Sequence, residues 1–404
     1  MPENKDKRKS EVSLTEKLRQ RSLVDYLKQI NWGKGSSNPW VVEFDPTTIC
    51  NLACPDCISR DLLNKGFFSR KRVRELVKEM VDAGVKAVVL IGGGEPLAHP
   101  EIGWVIEYLG QNDVHVGITT NGLLIGRYID CIAKYANWVR VSVDAATSDT
   151  FNRIRTSPSG VSVFNKVIEN MKKLAKIKSG KLGYSFMIYS EGEFDKSDSC
   201  KKNRKEEPGL IPSGIDETGF VKPDNDRPFS NVSEIYQAAL LAKEIGCDYY
   251  EVKPMYNIHH FAISQREDLI SMVKEQIEQA LLLEDDNFRV LQATKLKNTL
   301  SGESSVEQKD YTRCAVAQLR TLVTSNGTYI CPYFRGRDDK ELGNVKEMSF
   351  QDMWHGEQRR KVMDKLDPSL DCKMHCIRHD SNLILEDMIK GKEAEVVDDF
   401  DRFI

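Results

Sequence analysis

The chain has no apolar run that approaches the ~18–20 residues a membrane-spanning helix needs. Its opening residues, MPENKDKRKSEVSLTEKLRQR, are charged and lack the apolar core of a secretory signal. It also lacks a charge imbalance. With 58 Lys and Arg against 61 Asp and Glu, the formal net charge is -3, so nothing points to nucleic acid or an anionic membrane as a partner. No internal repeat is evident. These absences leave a cytoplasmic protein as the expectation, and 40% hydrophobic with 29% charged residues are soluble globular proportions. At 404 residues the chain has room for one large domain and a smaller one.

What the chain does have is cysteine, ten in all and unevenly spread. In a reducing compartment, clustered cysteines are metal ligands or catalytic groups more often than disulfides. Cys50, Cys54 and Cys57 fall within eight positions, and Cys314, Cys331, Cys372 and Cys376 lie toward the end. Cys131 and Cys247 sit in helical or helix-end patterns and read as small core residues. Cys200 reads as a free thiol in a charged stretch. Two metal sites are the first reading.

From Val41 onward, strand-like and helix-like patterns alternate. WVVEFDPT reads as a strand, RKRVRELVKEMVDAG as an amphipathic helix stopped by Gly84, and KAVVLIGGG as a buried strand. VHVGITTNG, WVRVSVDAA, LGYSFMIYS and CDYYEVKP complete six strands, each separated from the next by a helical pattern. Continuous apolar strands in such units imply a parallel sheet covered by helices. The fold class is therefore α/β, a partial (β/α)6 TIM-like barrel with its site at the C-terminal strand ends. Residues 1–40 read as a helical extension, 41–262 as the barrel, 263–310 as a helical linker, 311–380 as a small α+β hairpin–helix domain, and 381–404 as a tail. Residues 191–232, rich in charge, Pro, Gly and Ser, form a polar insertion that reads as a solvated loop or a lid.

The front spacing, Cys50-x3-Cys54-x2-Cys57, directly follows the first strand. A structural zinc site wants four closed ligands, and no further Cys or His follows closely; the nearest His is His99. Three thiolates can instead hold a cubane iron–sulfur cluster and leave one iron open. On these residues the chain resembles the radical S-adenosylmethionine (SAM) superfamily, and the resemblance continues in order. GGGEP at 92–96 is similar to the family's glycine-rich motif for the SAM amino group, which implies Gly93, Gly94 and Glu95 as contacts. TTNG at 119–122 ends the third strand as in the family, with Asn121 in it. VSVDA at 141–145 resembles the ribose-binding strand, with Ser142 and Asp144 facing inward, and Arg155 is implied as the partner of the SAM carboxylate. The resemblance further implies that the open iron binds SAM. An electron from a donor such as flavodoxin or ferredoxin would then release a 5′-deoxyadenosyl radical that takes hydrogen from a substrate. One position departs from the pattern: the residue before the third cysteine is usually aromatic and contacts adenine, but here it is Asp56.

In the rear region, LRTLVTS, a turn at NG 326–327 and TYICPYF suggest a hairpin. With LGNV at 342–345 and the helix SFQDMWHGEQRRKV, this resembles the twitch module, a shortened SPASM domain. Gly327 lies one residue nearer Cys331 than usual, and the last pair is C-x3-C. The resemblance implies that Cys314, Cys331, Cys372 and Cys376 close a second, auxiliary 4Fe–4S cluster suited to accepting an electron. Structural zinc on the same four thiols is the alternative; His375 and His379 read as surface residues.

Relatives of this kind act on sugars and aminocyclitols or on peptides. The 40 residues before the first strand are too few for the ~80-residue recognition module that many peptide maturases carry. The expectation is therefore a small-molecule, carbohydrate-like substrate oxidised by an oxidoreductase. A peptide- or protein-modifying maturase and a non-catalytic zinc protein are the alternatives. Glu251 and Lys253 alternate onto one face of the last strand and are the candidate catalytic residues, unless they form only an internal ion pair. Tyr256, His259 and His260 are further candidate contacts. Arg335 and Arg337 could meet an anion, though both read more readily as surface arginines.

Overall fold

A computed structural model of the chain describes residues 14–33, 35–190, 229–255, 267–301, 309–372, 376–392 and 395–404. Most of the expected insertion, together with Cys200, Tyr256, His259, His260 and His375, lies outside the described residues.

The six expected strands form: β1 (Val41–Asp45), β2 (Ala87–Leu90), β3 (His115–Thr120), β4 (Ala136–Ser142), β5 (Lys181–Ile188) and β6 (Tyr249–Pro254). Each pairs in parallel with the next, because a helix crosses over between them. The helix Arg70–Asp82 shows why. Ser69 caps it by accepting from Arg72 N, and Val73, Leu76, Val77 and Met80 recur at helical spacing and are buried. Burying those four side chains is worth on the order of 6–12 kcal/mol before entropy is counted. Gly84, at φ 85°, then lets the chain turn back into β2.

The sheet is larger than expected. A seventh parallel strand, β7 (Arg289–Gln292), pairs with β6 inside what reads as a helical linker; four residues are too few to show a period. The rear hairpin, β8 (Arg320–Thr324) and β9 (Gly327–Tyr329), and its partner β10 (Glu341–Gly343) do not stand apart. β8 pairs in parallel with β1, from Val41↔Arg320 to Asp45↔Thr324, so the ten strands among the described residues make one sheet. The hairpin turn is also one residue earlier than read: Thr324 pairs with Gly327, leaving Ser325 and Asn326 as the turn.

The two faces of the strands differ. On β4 and β6 the outward residues Val139, Val141, Tyr250 and Val252 are buried beneath helices. The inward ones, Trp138, Arg140, Ser142, Tyr249, Glu251 and Lys253, keep some accessible surface. That alternation marks an open lumen. The twisted sheet curves around it, bringing Glu43 on β1 near enough to act on Arg140 three strands away, which a flat sheet would hold about 14 Å apart. At the N-terminal strand ends the lumen is closed by a second apolar cluster. There Leu23 and Leu27 meet Trp40, Ala87, Leu319, Phe403 and Ile404. The expected N-terminal extension and C-terminal tail thus join, through a bridge between Gln20 and Val397, to form one floor.

Candidate active site

The loop after β1 is tied at its neck by Thr48. Its hydroxyl accepts from Lys65 N and Gly66 N at 2.9 and 2.8 Å, and Thr48 N donates to Gly66 O. The enclosed segment carries Cys50, Cys54 and Cys57, each partly exposed. Burial raises the Cys50 thiol to about 11, with Glu95, Cys54 and Cys57 adding to the effect. Burial likewise raises Cys54, against the pull of Arg155. The three sulfurs therefore share one small region. His99 cannot serve as a fourth ligand: its Nε2 donates to Phe68 O at 2.9 Å and its Nδ1 accepts from Glu101 N.

The glycine motif packs directly against this loop. A Cβ on Gly94 would lie 2.3 Å from Ile49 O, and one on Gly93 would lie 2.5 Å from Asp45 Oδ2, so both positions require glycine. Gly93 N donates to Asp45 Oδ2 at 2.6 Å. Glu95 is enclosed. Its carboxylate accepts from Thr120 Oγ1, Asn121 N and Leu97 N at 2.7, 2.8 and 3.1 Å, which fastens the motif to the end of β3. It is 2% exposed, so the contact expected of it gives way to a supporting role. Asn121 in turn donates through Nδ2 to Asn51 Oδ1, inside the cysteine loop.

Ser142 sits on the inward face as expected, but Asp144 does not follow the alternation. It adopts φ 62°, is 1% exposed, and accepts from Arg155 Nε and from Met187 N, both at 2.8 Å. It anchors Arg155 and β5; a direct ribose contact is not available to a carboxylate so enclosed. Arg155 therefore stands beside Cys54 with its guanidinium fixed. Asp56 also has a partner: Tyr189 at the end of β5 donates to its Oδ2 at 2.8 Å. Deeper in, Glu251 and Lys253 share the inward face as read, 3.7 Å apart, and Arg140 joins them at 3.2 Å from the same Glu251 oxygen.

Asp45, which the pattern did not single out, and Arg335, which read more readily as a surface residue than as an anion contact, complete the site. Asp45 is buried, its Oδ1 has no hydrogen-bond partner among the described residues, and burial raises its carboxyl to about 6 even though Arg335, Gly93 N and Thr47 N pull the other way. Arg335 is not a surface residue. Its Nη1 donates to Ser59 Oγ at 3.1 Å and Gly92 O at 3.3 Å, and its Nη2 lies 3.7 Å from Asp45. Arg337, by contrast, pairs with Asp339 at the surface. The strand VVEFDPT carried a usable signal: charged Glu43 and Asp45 alternate within an otherwise apolar run.

Cys314, Cys331, Cys372 and Cys376 line one cavity of about 60 Å³. That is several times the ~10–15 Å³ a water needs, whereas a zinc ion about 2.3 Å from each sulfur would leave no such space. Burial raises Cys314 to about 11 and Cys372 to about 12, with neighbouring cysteines adding to both. Glu43, Arg320 and Arg378 share the wall. Arg378 N and Asn382 Nδ2 donate toward Cys376 and Cys314 sulfurs at 3.4 and 3.6 Å, the kind of contact that tunes a cluster's potential. His379 is buried and bonded to Tyr311 at 3.2 Å, contrary to its reading as a surface residue. Cys131 and Cys247 are core residues, as read.

A model of the radical SAM superfamily matches residues 44–198, and one of the iron–sulfur cluster-binding SPASM domain matches residues 314–377, together more than half of the chain. The chain belongs to the radical SAM superfamily. As a radical SAM protein with a SPASM-type region, it takes a SAM-binding 4Fe–4S cluster and an auxiliary iron–sulfur cluster. The donor sets fit: three thiols with no fourth ligand at hand among the described residues, and four thiols around a void. The chain is 33% identical over 162 residues to molybdenum cofactor biosynthesis protein 1 of Dictyostelium discoideum, covering 38% of this chain and 25% of that protein. It is 28% identical over 145 residues to mycofactocin maturase MftC of Mycobacterium tuberculosis, covering 35% and 36%. The chain thus spans only a quarter to just over a third of these relatives. Streptococcus suis SuiB, solved with precursor peptide SuiA, shares the fold at 16% identity and a TM-score of 0.56, over 94% of this chain and 79% of that one. anSMEcpe, solved with AdoMet and Cp18Cys peptide, does so at 18% and 0.51, over 81% and 82%. No helix among the described residues is long and apolar enough to cross a membrane.

Proposed function

We propose that the chain is an enzyme that oxidatively modifies a peptide or protein by radical chemistry. The observation that carries this reading is the position of the lumen between the two thiol sets. The three-thiol loop adjoins Asp144 and Arg155, whose charges Lys253 feels, and Glu43 on the inward face of β1 also lines the four-thiol cavity. With its cofactors bound, the site supplies a 5′-deoxyadenosyl radical from SAM and, at the four thiols, an acceptor for one electron.

The chain's own residues hold and orient. Cys50, Cys54 and Cys57 hold the first cluster, and Cys314, Cys331, Cys372 and Cys376 the second. Gly93 and Gly94 bring bare backbone to the SAM amino group, and Asn121 and Glu95 keep that backbone in place. Arg155, pre-oriented by Asp144, receives the SAM carboxylate, and Ser142 faces the ribose. Tyr189, held by Asp56, offers the aromatic ring that position 56 does not. The floor formed by Phe403 and Ile404 keeps water from entering the lumen at its far end.

The peptide class rests on the similarity to a maturase and on the fold shared with two proteins solved with peptides. These outweigh the carbohydrate-like substrate expected from the brevity of the N-terminal segment. The test is anaerobic reconstitution with SAM and a one-electron donor, flavodoxin, ferredoxin or dithionite, and then incubation with short peptides encoded beside the gene. Mass spectrometry should find a peptide that has lost two hydrogen atoms. Turnover of sugars or aminocyclitols with every peptide untouched would overturn the peptide reading.

A further inference from the structure

The charges along the lumen do not balance. Asp144 is taken up by Arg155, and Glu43 by Arg320 at 2.6 Å. Glu251 faces two cations. Arg140 makes the shorter contact, at 3.2 Å, while the Lys253 ammonium reaches the same oxygen only at 3.7 Å. One positive charge is left over. Burial acts to raise the Glu251 carboxyl, but Arg140 and Lys253 together pull it below the ordinary value. Arg140 Nη2 finds Thr119 Oγ1 at 3.4 Å, while its Nε is enclosed without a partner among the described residues. Arg140, Glu251 and Lys253 are deep in the protein, yet keep 30%, 22% and 31% of their side-chain surface accessible. Side chains of a packed internal ion pair would not keep that surface; side chains lining a solvent-filled subsite do.

We infer that Arg140 and Lys253 form a subsite in the lumen that takes one carboxylate group of the substrate. The inference rests on the enzymatic reading above and names the chemistry of what enters. A single unmatched positive charge suits a monoanion; a phosphate dianion would require two. The planar guanidinium and the ammonium approach Glu251 from different strands, β4 and β6, and an entering carboxylate bridges the same two cations from the open side.

The test reads the accessibility of Lys253 in the reconstituted, SAM-loaded chain, without turnover. Limited acylation is followed at residue 253 by mass spectrometry with four probes at about 10 mM: N-acetylglycine, N-acetylglutamate α-methylamide, N-acetylglycinamide and inorganic phosphate. Charge-assisted pairing with a dissociation constant on the order of 1 mM reduces labelling about tenfold. The two carboxylate probes separate a chain terminus from an acidic side chain as the source, and protection by either supports the subsite. Arg140→Gln should abolish protection and Glu251→Gln should strengthen it, so one variant suffices if the other does not fold. Labelling unchanged by both carboxylates, or equal protection by the neutral amide or by phosphate, would overturn the inference. A peptide left unmodified while Lys253 is protected would sink only the functional proposal. Modification of a peptide while Lys253 stays unprotected would sink only this one.

Discussion

Arg335→Gln is the most informative single perturbation, because Arg335 is where the SPASM-type region grips the glycine motif. Its Nη2 lies 3.7 Å from Asp45, whose carboxyl already sits at about 6. At an effective dielectric near 20, a unit charge at that distance is worth about 4 kcal/mol, an upper bound that protein relaxation and water reduce by about half. Losing it raises the Asp45 carboxyl by between about 1.5 and 3 pH units, so at pH 7 the group becomes largely protonated. Gly93 N then donates to a neutral oxygen rather than to a charged one, a loss of about 1 kcal/mol. SAM affinity of the reconstituted variant should fall about fivefold to tenfold at pH 7 and recover toward the wild-type value by about pH 9. The wild-type affinity should be flat across that range. The assay is SAM binding by equilibrium titration from pH 6.5 to 9, with iron content measured in parallel. Identical affinity and pH profile in the two proteins would refute the reasoning. So would selective loss of the auxiliary cluster, because Arg335 would then support its own region and not the glycine motif.

The remaining expectations are simpler to check. Cys331→Ala should leave about four of about eight irons per chain and retain SAM cleavage, as read by iron analysis and chromatography of 5′-deoxyadenosine. Because the thiols of Cys50, Cys314 and Cys372 sit at about 11 to 12, assembly must release their protons, so cluster formation should be more complete at pH 8.5 than at pH 7 when followed by absorbance. Asp45 binds its proton more tightly folded than unfolded, so it lowers stability as pH rises from about 4 through 6, by about 3 kcal/mol in all. Denaturant midpoints of the apo chain should show that slope, and Asp45→Asn should lose it. Gly183→Ala would place a methyl 2.0 Å from the Tyr249 ring and should destabilise the apo chain by about 1–3 kcal/mol or more, measured by the same melts.

The legible part of this protein was local. The period of apolar residues in RKRVRELVKEMVDAG, and the buried runs of AVVL and its counterparts, specify helices and strands from nearest-neighbour chemistry, so their alternation by itself determined a parallel sheet. The three-cysteine loop and GGGEP could be read because the chemistry needs those residue types at fixed spacing along one stretch of chain. What could not be read depends on partners distant in sequence. Glu95 and Asp144 carry the right side chains in the right motifs. Whether a carboxylate faces a ligand or is consumed by Thr120, Asn121 or Arg155 is decided only when strands are laid side by side. Arg335 reads as a surface residue until β8 docks on β1 and carries the rear region over the glycine motif. β7 is too short to show a period, and the leftover charge at Arg140 and Lys253 exists only in the curved sheet. The sequence on its own determined which groups are present and the fold class that holds them. The tertiary structure decided which of those groups remain free to act, because freedom is what is left after every long-range hydrogen bond and ion pair has been made.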